Sequence, residues 1–170
     1  MEGEDVVEKG SLEEAVASAQ AASAAVGSRA MARNALKAKG IVIGLDPGHG
    51  GKDGGASGIN GVREADLTWK IANYCAAELR QYSGVADVVF SRSQSEYTDD
   101  NNGGLKLRVD RLVNQGADVI VSIHLNSAAS GNAYGAEVWT PNNSKYDDAY
   151  YVGNDLARCI ADELGKLGLT

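Results

Sequence analysis

The stretch IVIGLDPGHGGKDGGASGINGVRE, residues 41–64, sets the organisation of the chain. Its apolar run, Ile41–Leu45, is closed by proline and glycine, which is the pattern of a buried strand that ends in a tight turn. The turn carries His49 on backbone that glycine tolerates best. Glu64 follows directly before an amphipathic helical pattern. We therefore expect a strand that delivers a histidine to its C-terminal end, followed by a helix that begins beside a carboxylate.

The chain has two histidines, and the second, His124, also ends an apolar run, in VIVSIHLNS. The C-terminal ends of parallel strands meet at one edge of a sheet, where ligands bind. Two imidazoles and one carboxylate with an open fourth position match catalytic zinc sites, and magnesium rarely takes two histidines. We predict a zinc site made of His49, Glu64 and His124. The alternative is a structural role for each histidine and a helix-dipole role for Glu64.

Strand and helix patterns alternate along the rest of the chain. The predicted strands are 41–45, 85–91, 118–124 and 135–140, and the predicted helices are 65–82, 105–115 and 147–167. This alternation predicts an α/β domain with a mostly parallel sheet and helices on both faces. The run VIVSI is apolar without alternation, which favours a strand covered on both sides.

Residues 1–39 differ from the rest, because they are rich in Ala, Ser and Glu and contain no aromatic residue. We interpret them as a helical or partly disordered stalk that precedes a domain at 40–170. An interaction arm is the alternative. The acidic start lacks the positive region of a signal peptide.

Charge and hydropathy exclude some classes of protein. The 16 basic and 23 acidic residues give a net charge of −7, which argues against a nucleic-acid partner. No apolar run approaches the length of a transmembrane helix. Cys75 and Cys159 both lie on the apolar side of helical patterns, so we expect buried free thiols.

Residues 40–168 resemble the zinc-dependent N-acetylmuramoyl-L-alanine amidases of bacterial cell-separation and sporulation enzymes and phage endolysins. The matching pieces are IVIGLDPGHGGKDGGASG, the glutamate of VRE, FSR, LRVDRLVNQGADVIVSIHLNSA and GAEVWT. The resemblance implies that His49, Glu64 and His124 bind Zn2+. It also implies that zinc-activated water cleaves the amide between N-acetylmuramic acid and the L-alanine of the stem peptide. Other matches to recurrent positions are Arg92, Arg108 and Asn126.

The partner that the resemblance implies is peptidoglycan, and the implied location is extracellular or in the cell wall. The family normally has a further strand with a second glutamate, the general base and acid, and no residue up to Thr170 matches it. We expect that glutamate beyond Thr170, in a C-terminal part of the domain missing here. Glu137, in the predicted fourth strand, is a poor substitute, and Glu163 should face solvent.

We therefore expect this chain to bind zinc but to hydrolyse muropeptides poorly or not at all. Two alternatives stay open. One is a non-catalytic peptidoglycan-binding module that keeps the zinc site. The other is a zinc peptidase of the same α/β type, which would cleave within the stem peptide.

Overall fold

A computed structural model describes residues 39–94, 103–128, 133–141 and 147–169. The stalk predicted at 1–39 lies outside them except for Lys39, so it stays a prediction. The elements are β1 (Ile41–Pro47), α1 (Glu64–Leu79), β2 (Val85–Phe90), α2 (Gly103–Asn114), β3 (Val119–Ile123) and α3 (Asp147–Lys166). Their ends lie within three residues of the predicted ones. None of the helices in these ranges has the length and apolar content that a membrane-spanning helix needs.

Within the described residues, the sheet has three parallel strands in the order β2-β1-β3. On one face of β1, Ile43 and Leu45 pack in a core cluster with Ala72 of α1. Gly44, between them, points to the other face, where an added Cβ would lie 3.2 Å from Leu112 of α2. The two helices therefore cover opposite faces of the sheet, which confirms the predicted α/β architecture.

The face of α1 that meets the sheet is shifted from the predicted one. The sequence favoured a row of larger apolar residues, Leu67, Ile71, Cys75 and Leu79, which are only half-buried. The buried residues are instead Glu64, Ala65, Thr68, Ala72 and Ala76. Small side chains let the helix lie close to β1, and the larger ones fill the flank. Glu64 belongs to this sheet-facing row because residues four apart share one helix face.

The predicted fourth strand is wrong. Residues 133–141 contain no strand. Instead, Thr140 Oγ1 lies 3.2 Å from Asn154 Oδ1 of α3, and Tyr134 donates a hydrogen bond to the Gly168 carbonyl at 2.9 Å. An alternating pattern produces a strand only where a neighbouring strand supplies hydrogen-bond partners, and this segment packs on a helix.

The apolar side chains of β3 and α2 are less buried than the sequence pattern predicts. Ile120 of β3, the outermost of the three described strands on its side of the sheet, is exposed on the α2 face. Helical periodicity in 105–115 predicts one apolar face made of Leu105, Val109, Leu112 and Val113. In the structure only Leu112 of this row is buried, and the other three are exposed.

The two cysteines are free thiols, as predicted, but their burial differs from the prediction. Cys75 is half-buried and Cys159 is exposed. Helical periodicity places Cys159 on the apolar side of α3, but no part of the described structure buries the side chain at that position.

Candidate metal centre

The C-terminal ends of β1 and β3 are joined directly. The Gly48 N–H donates to the Ile123 carbonyl at 2.8 Å, so His49 and His124 leave the sheet at adjacent points. The predicted convergence of the two histidines at one sheet edge is therefore what the topology produces. Their rings meet edge to face, with centroids 4.8 Å apart.

His49 sits in an unusual backbone conformation. Its φ is 61°, in the left-handed region that residues other than glycine seldom adopt. Paired backbone hydrogen bonds between Gly50 and Asp53, at 2.9 and 3.0 Å, close the turn that holds it there. At Gly55, whose φ is +65°, an added Cβ would lie 2.6 Å from His49 Cδ2 and 2.7 Å from Glu64 Oε2. The glycine-rich loop is therefore required for the close approach of these two side chains.

The three predicted side chains form one cluster. His49 Nε2 lies 3.2 Å from Glu64 Oε2. His124 Nδ1 lies 3.3 Å from Glu64 Oε1 and 3.1 Å from His49 Nε2. Ligands about 2.0–2.1 Å from zinc in a tetrahedron are about 3.3 Å from one another. The donor set and its spacing therefore fit a metal ion such as zinc, with a fourth position left for another ligand.

Glu64 is buried and held by the backbone. Its Oε2 accepts the Ala56 N–H at 2.9 Å, and its Oε1 accepts the Leu125 N–H at 2.6 Å. Burial raises the pKa of Glu64, but these two hydrogen bonds and the neighbouring histidines outweigh it, so the pKa lies below its usual value. Glu64 is thus a carboxylate at neutral pH, and each oxygen keeps a further lone pair for a metal.

Asp53 contacts the His49 ring on the side opposite Glu64 and His124. Its Oδ2 lies 2.8 Å from His49 Nδ1, and its Oδ1 accepts the Gly55 N–H at 3.0 Å. Burial by itself raises the pKa of Asp53. The two hydrogen bonds and the charges of His49 and Arg108 lower it by more, so the pKa lies below its usual value. No role is predicted for Asp53 from the sequence. The available signal was an acid four residues after a histidine, inside a glycine-rich turn.

Arg92 links the turn that precedes His49 to α1 through hydrogen bonds. Its side chain is 3% exposed. Its Nε donates to the Pro47 carbonyl at 2.8 Å, and its Nη2 donates to the Gly48 and Ala65 carbonyls at 3.1 and 2.9 Å. Thr68 Oγ1 also donates to the Gly48 carbonyl, at 2.9 Å. The turn before His49 and the helix start that carries Glu64 are therefore held at a set separation.

Asp46 links the three strands next to the candidate site through hydrogen bonds that no sequence pattern predicts. Ser91, after β2, donates to its Oδ1 at 2.6 Å, and Ser122 of β3 donates to its Oδ2 at 2.8 Å. Arg108 of α2, which is also buried, places Nη1 3.4 Å from Oδ1. All three strands and α2 thus share one buried carboxylate.

The other residues singled out from sequence lie at the surface. Asn126 donates a hydrogen bond to Glu137, and both side chains are exposed. Glu137 is not part of the metal-ligand cluster. Glu163 is exposed and pairs with Lys166 at 2.6 Å, consistent with the expected solvent-facing position.

Comparison with known proteins identifies the fold and the family. Residues 43–169 match the family described as N-acetylmuramoyl-L-alanine amidase. The germination-specific N-acetylmuramoyl-L-alanine amidase of Bacillus subtilis is 30% identical over 139 residues, which are 77% of this chain and 55% of that protein.

Two solved structures are similar over much of the chain. The catalytic domain of the amidase CwlV from Bacillus (Paenibacillus) polymyxa var. colistinus has 31% identity and a TM-score of 0.58, covering 72% of this chain and 63% of that one. The CwlD amidase of Clostridioides difficile, solved with the GerS lipoprotein, has 28% identity and a TM-score of 0.61, covering 74% and 66%.

This chain spans about half of the Bacillus subtilis amidase and just under two thirds of the two amidase structures. The match covers β1 from Ile43 onward, both helices beside the sheet and the His49–Glu64–His124 cluster, so the similarity includes the whole described site. The chain belongs to the N-acetylmuramoyl-L-alanine amidase family.

Proposed function

We propose that this chain forms the zinc-holding part of a peptidoglycan hydrolase that cleaves the amide between N-acetylmuramic acid and the L-alanine of the stem peptide. The observation that carries the proposal is the cluster of His49, Glu64 and His124 at one sheet edge in a chain of the amidase family. These three side chains are the proposed zinc ligands. The proposed place of action is the cell wall, outside the cytoplasmic membrane, because the substrate is there.

The donor chemistry supports zinc over harder metals. Two imidazole nitrogens and one carboxylate oxygen suit zinc, whereas magnesium and calcium prefer oxygen ligands alone. When bound, zinc polarises a carbonyl and lowers the pKa of bound water, which is the chemistry that amide hydrolysis needs.

The residues around the three proposed ligands support zinc binding and access of a substrate. Glu64 stays ionised at neutral pH because two backbone N–H groups donate to it. The glycines at 48 and 55 leave room for the two imidazoles beside the loop. His124 is 41% exposed, so the open side of the cluster faces solvent and can admit a large polymeric substrate.

The proposed hydrolysis also needs a group that transfers a proton to the leaving amine. Glu137, a surface carboxylate hydrogen-bonded to Asn126, is the candidate that the described segment 133–141 offers. A Glu137→Gln variant that keeps the cleavage rate of the wild type would show that Glu137 is not this group.

The test combines zinc content with product analysis. Elemental analysis of the purified chain should give about one zinc per chain, and His124→Ala should lose it. Incubation with purified peptidoglycan should release stem peptides with a free L-alanine amino group, at a rate above that of His124→Ala. A zinc-loaded chain that binds peptidoglycan and releases nothing would favour the non-catalytic module, and cuts within the stem peptide would favour the peptidase.

A further inference from the structure

Asp53 lies on the side of the His49 ring that faces away from the proposed metal position. Its Oδ2 is 2.8 Å from Nδ1, whereas Nε2, across the ring, faces Glu64 and His124. An ionised carboxylate only accepts hydrogen bonds, and both ring nitrogens lie near one. The contact of Nδ1 with Asp53 is the shorter, at 2.8 Å against 3.2 Å from Nε2 to Glu64 Oε2, so the geometry favours the proton of a neutral His49 ring on Nδ1. We infer that Asp53 is a positioning residue that holds His49 in the Nδ1–H tautomer, which leaves the Nε2 lone pair free for a metal. The inference deepens the proposed function and rests on its zinc site.

The carboxylate of Asp53 cannot easily turn away from His49. Its Oδ1 accepts the Gly55 N–H at 3.0 Å, and the Asp53 backbone is bonded twice to Gly50. One oxygen is thus used to fix the loop and the other to fix the imidazole. Carboxylates behind metal-bound histidines orient the ring and raise its basicity in this way.

Among the described residues, none contacts the outer side of the His124 ring as Asp53 contacts that of His49. His124 faces the cluster through Nδ1, which lies 3.1 Å from His49 Nε2 and 3.3 Å from Glu64 Oε1. If His49 carries its proton on Nδ1, its Nε2 is an acceptor, and in the metal-free protein His124 donates Nδ1–H to it or to Glu64. Metal binding then requires His124 to carry its proton on Nε2. Asp53 therefore fixes the tautomer of His49 before metal binds, whereas the more exposed His124 changes its tautomer on binding.

Two substitutions at position 53 separate this role from simple loop support. In Asp53→Asn, the amide oxygen can keep the Gly55 N–H, but the amide NH2 then faces His49 Nδ1. Two donors cannot face each other, so the ring is driven to the Nε2–H form, whose hydrogen points at the metal position. Asp53→Ala removes the preference without reversing it. Tautomer control therefore predicts weaker zinc binding for Asn than for Ala, whereas loop support predicts the opposite order.

The first measurement uses the metal-free protein. Ring 15N chemical shifts of His49 at about pH 8, above the ordinary imidazole pKa, should show the Nδ1–H tautomer in the wild type and the Nε2–H tautomer in Asp53→Asn. The second measurement is zinc affinity by chelator competition. Zinc affinity should fall about 10-fold in Asp53→Ala and about 100-fold in Asp53→Asn. Asp110→Asn is the matched control, since Asp110 is 49% exposed and Asp53 is 47% exposed, and it should bind zinc as the wild type does.

The inference fails if wild-type His49 carries its proton on Nε2, or if Asp53→Asn binds zinc as tightly as Asp53→Ala or more tightly. Neither result would affect the proposed function, provided that the wild type binds one zinc and His124→Ala loses it. Conversely, a wild-type protein that binds no zinc would overturn the proposed zinc site. The His49 tautomer measured in the metal-free protein would still test the role of Asp53.

Discussion

Replacing Gly48 with alanine should remove His124 from the metal centre and leave the fold intact. Gly48 does not adopt a left-handed conformation, so alanine fits its backbone. The new Cβ, however, would lie 2.5 Å from His124 Nε2 and 2.6 Å from its Nδ1. Non-bonded carbon contacts are comfortable only beyond about 3.5 Å, so the ring must retreat by about 1 Å.

This displacement is large for a metal ligand and small for the fold. Ligand distances in a metal site tolerate about 0.2 Å, so His124 would no longer bind. Zinc affinity should then fall at least about 100-fold, or about 2.7 kcal/mol, which is the upper end of the loss for an outer-shell partner. The ring is 41% exposed and can rotate into solvent, so the free energy of unfolding of the metal-free protein should change by less than about 1 kcal/mol.

The assay is chelator competition for zinc affinity, together with urea unfolding of the metal-free protein. Gly84→Ala is the control, because an added Cβ there has nothing within 4 Å and its backbone is also compatible with alanine. It should bind zinc as the wild type does. Gly48→Ala and His124→Ala should weaken binding to a similar extent, and the double variant should be no weaker, because both act through the same ligand.

Zinc affinity within about threefold of the wild type in a folded Gly48→Ala protein would refute this reasoning. It would mean that the His124 ring does not occupy the position beside Gly48 when metal binds. A double variant with additive losses would likewise show that Gly48 acts on the site by another route.

Three further predictions concern stability, pH and thiol reactivity. Arg92→Met should lower the free energy of unfolding by about 3 kcal/mol or more in urea titrations, because it leaves buried carbonyls without donors, whereas the exposed Arg80→Met should cost much less. The pKa of Glu64 is lowered in the folded state, so its contribution to stability is present above the unfolded carboxyl pKa of about 4.3 and is lost as pH falls through the folded pKa. Metal-free Glu64→Gln should therefore lose stability less steeply than the wild type as the solution is acidified, and equal slopes in urea titrations would contradict this. At about pH 8 a thiol reagent should modify the exposed Cys159 before Cys75, whose thiol pKa is raised by burial, and equal rates by peptide mass spectrometry would contradict this assignment.

Local patterns were sufficient to place most of the elements. Apolar runs and 3.6-residue periodicity gave three strands and three helices to within three residues. The predicted strand at 135–140 failed because strand formation depends on a partner elsewhere in the chain, and this segment contacts α3. The helix face of α1 was misplaced because the sequence pattern weighs apolar size, whereas close packing on β1 selected the small residues at 68, 72 and 76.

The candidate ligands were readable from sequence because chain topology brings parallel strand ends to one edge. His49 and His124 end separate strands, and that alone predicts their convergence. The roles of Arg92 and Asp46 were not readable in this way. Their function depends on hydrogen bonds to groups as far as 76 residues away, and no local pattern reports such distances.

Residue order along the chain therefore specified the alternation of strands and helices and the three donors of the proposed zinc site. Three-dimensional packing specified which imidazole nitrogens face one another and Glu64, which carboxylate lies against the other side of the His49 ring, and which buried guanidinium contacts both the loop and the helix. The physical reason is that hydrophobic periodicity is a property of neighbouring residues, whereas hydrogen-bond pairing requires positions and directions that exist only after the backbone has folded.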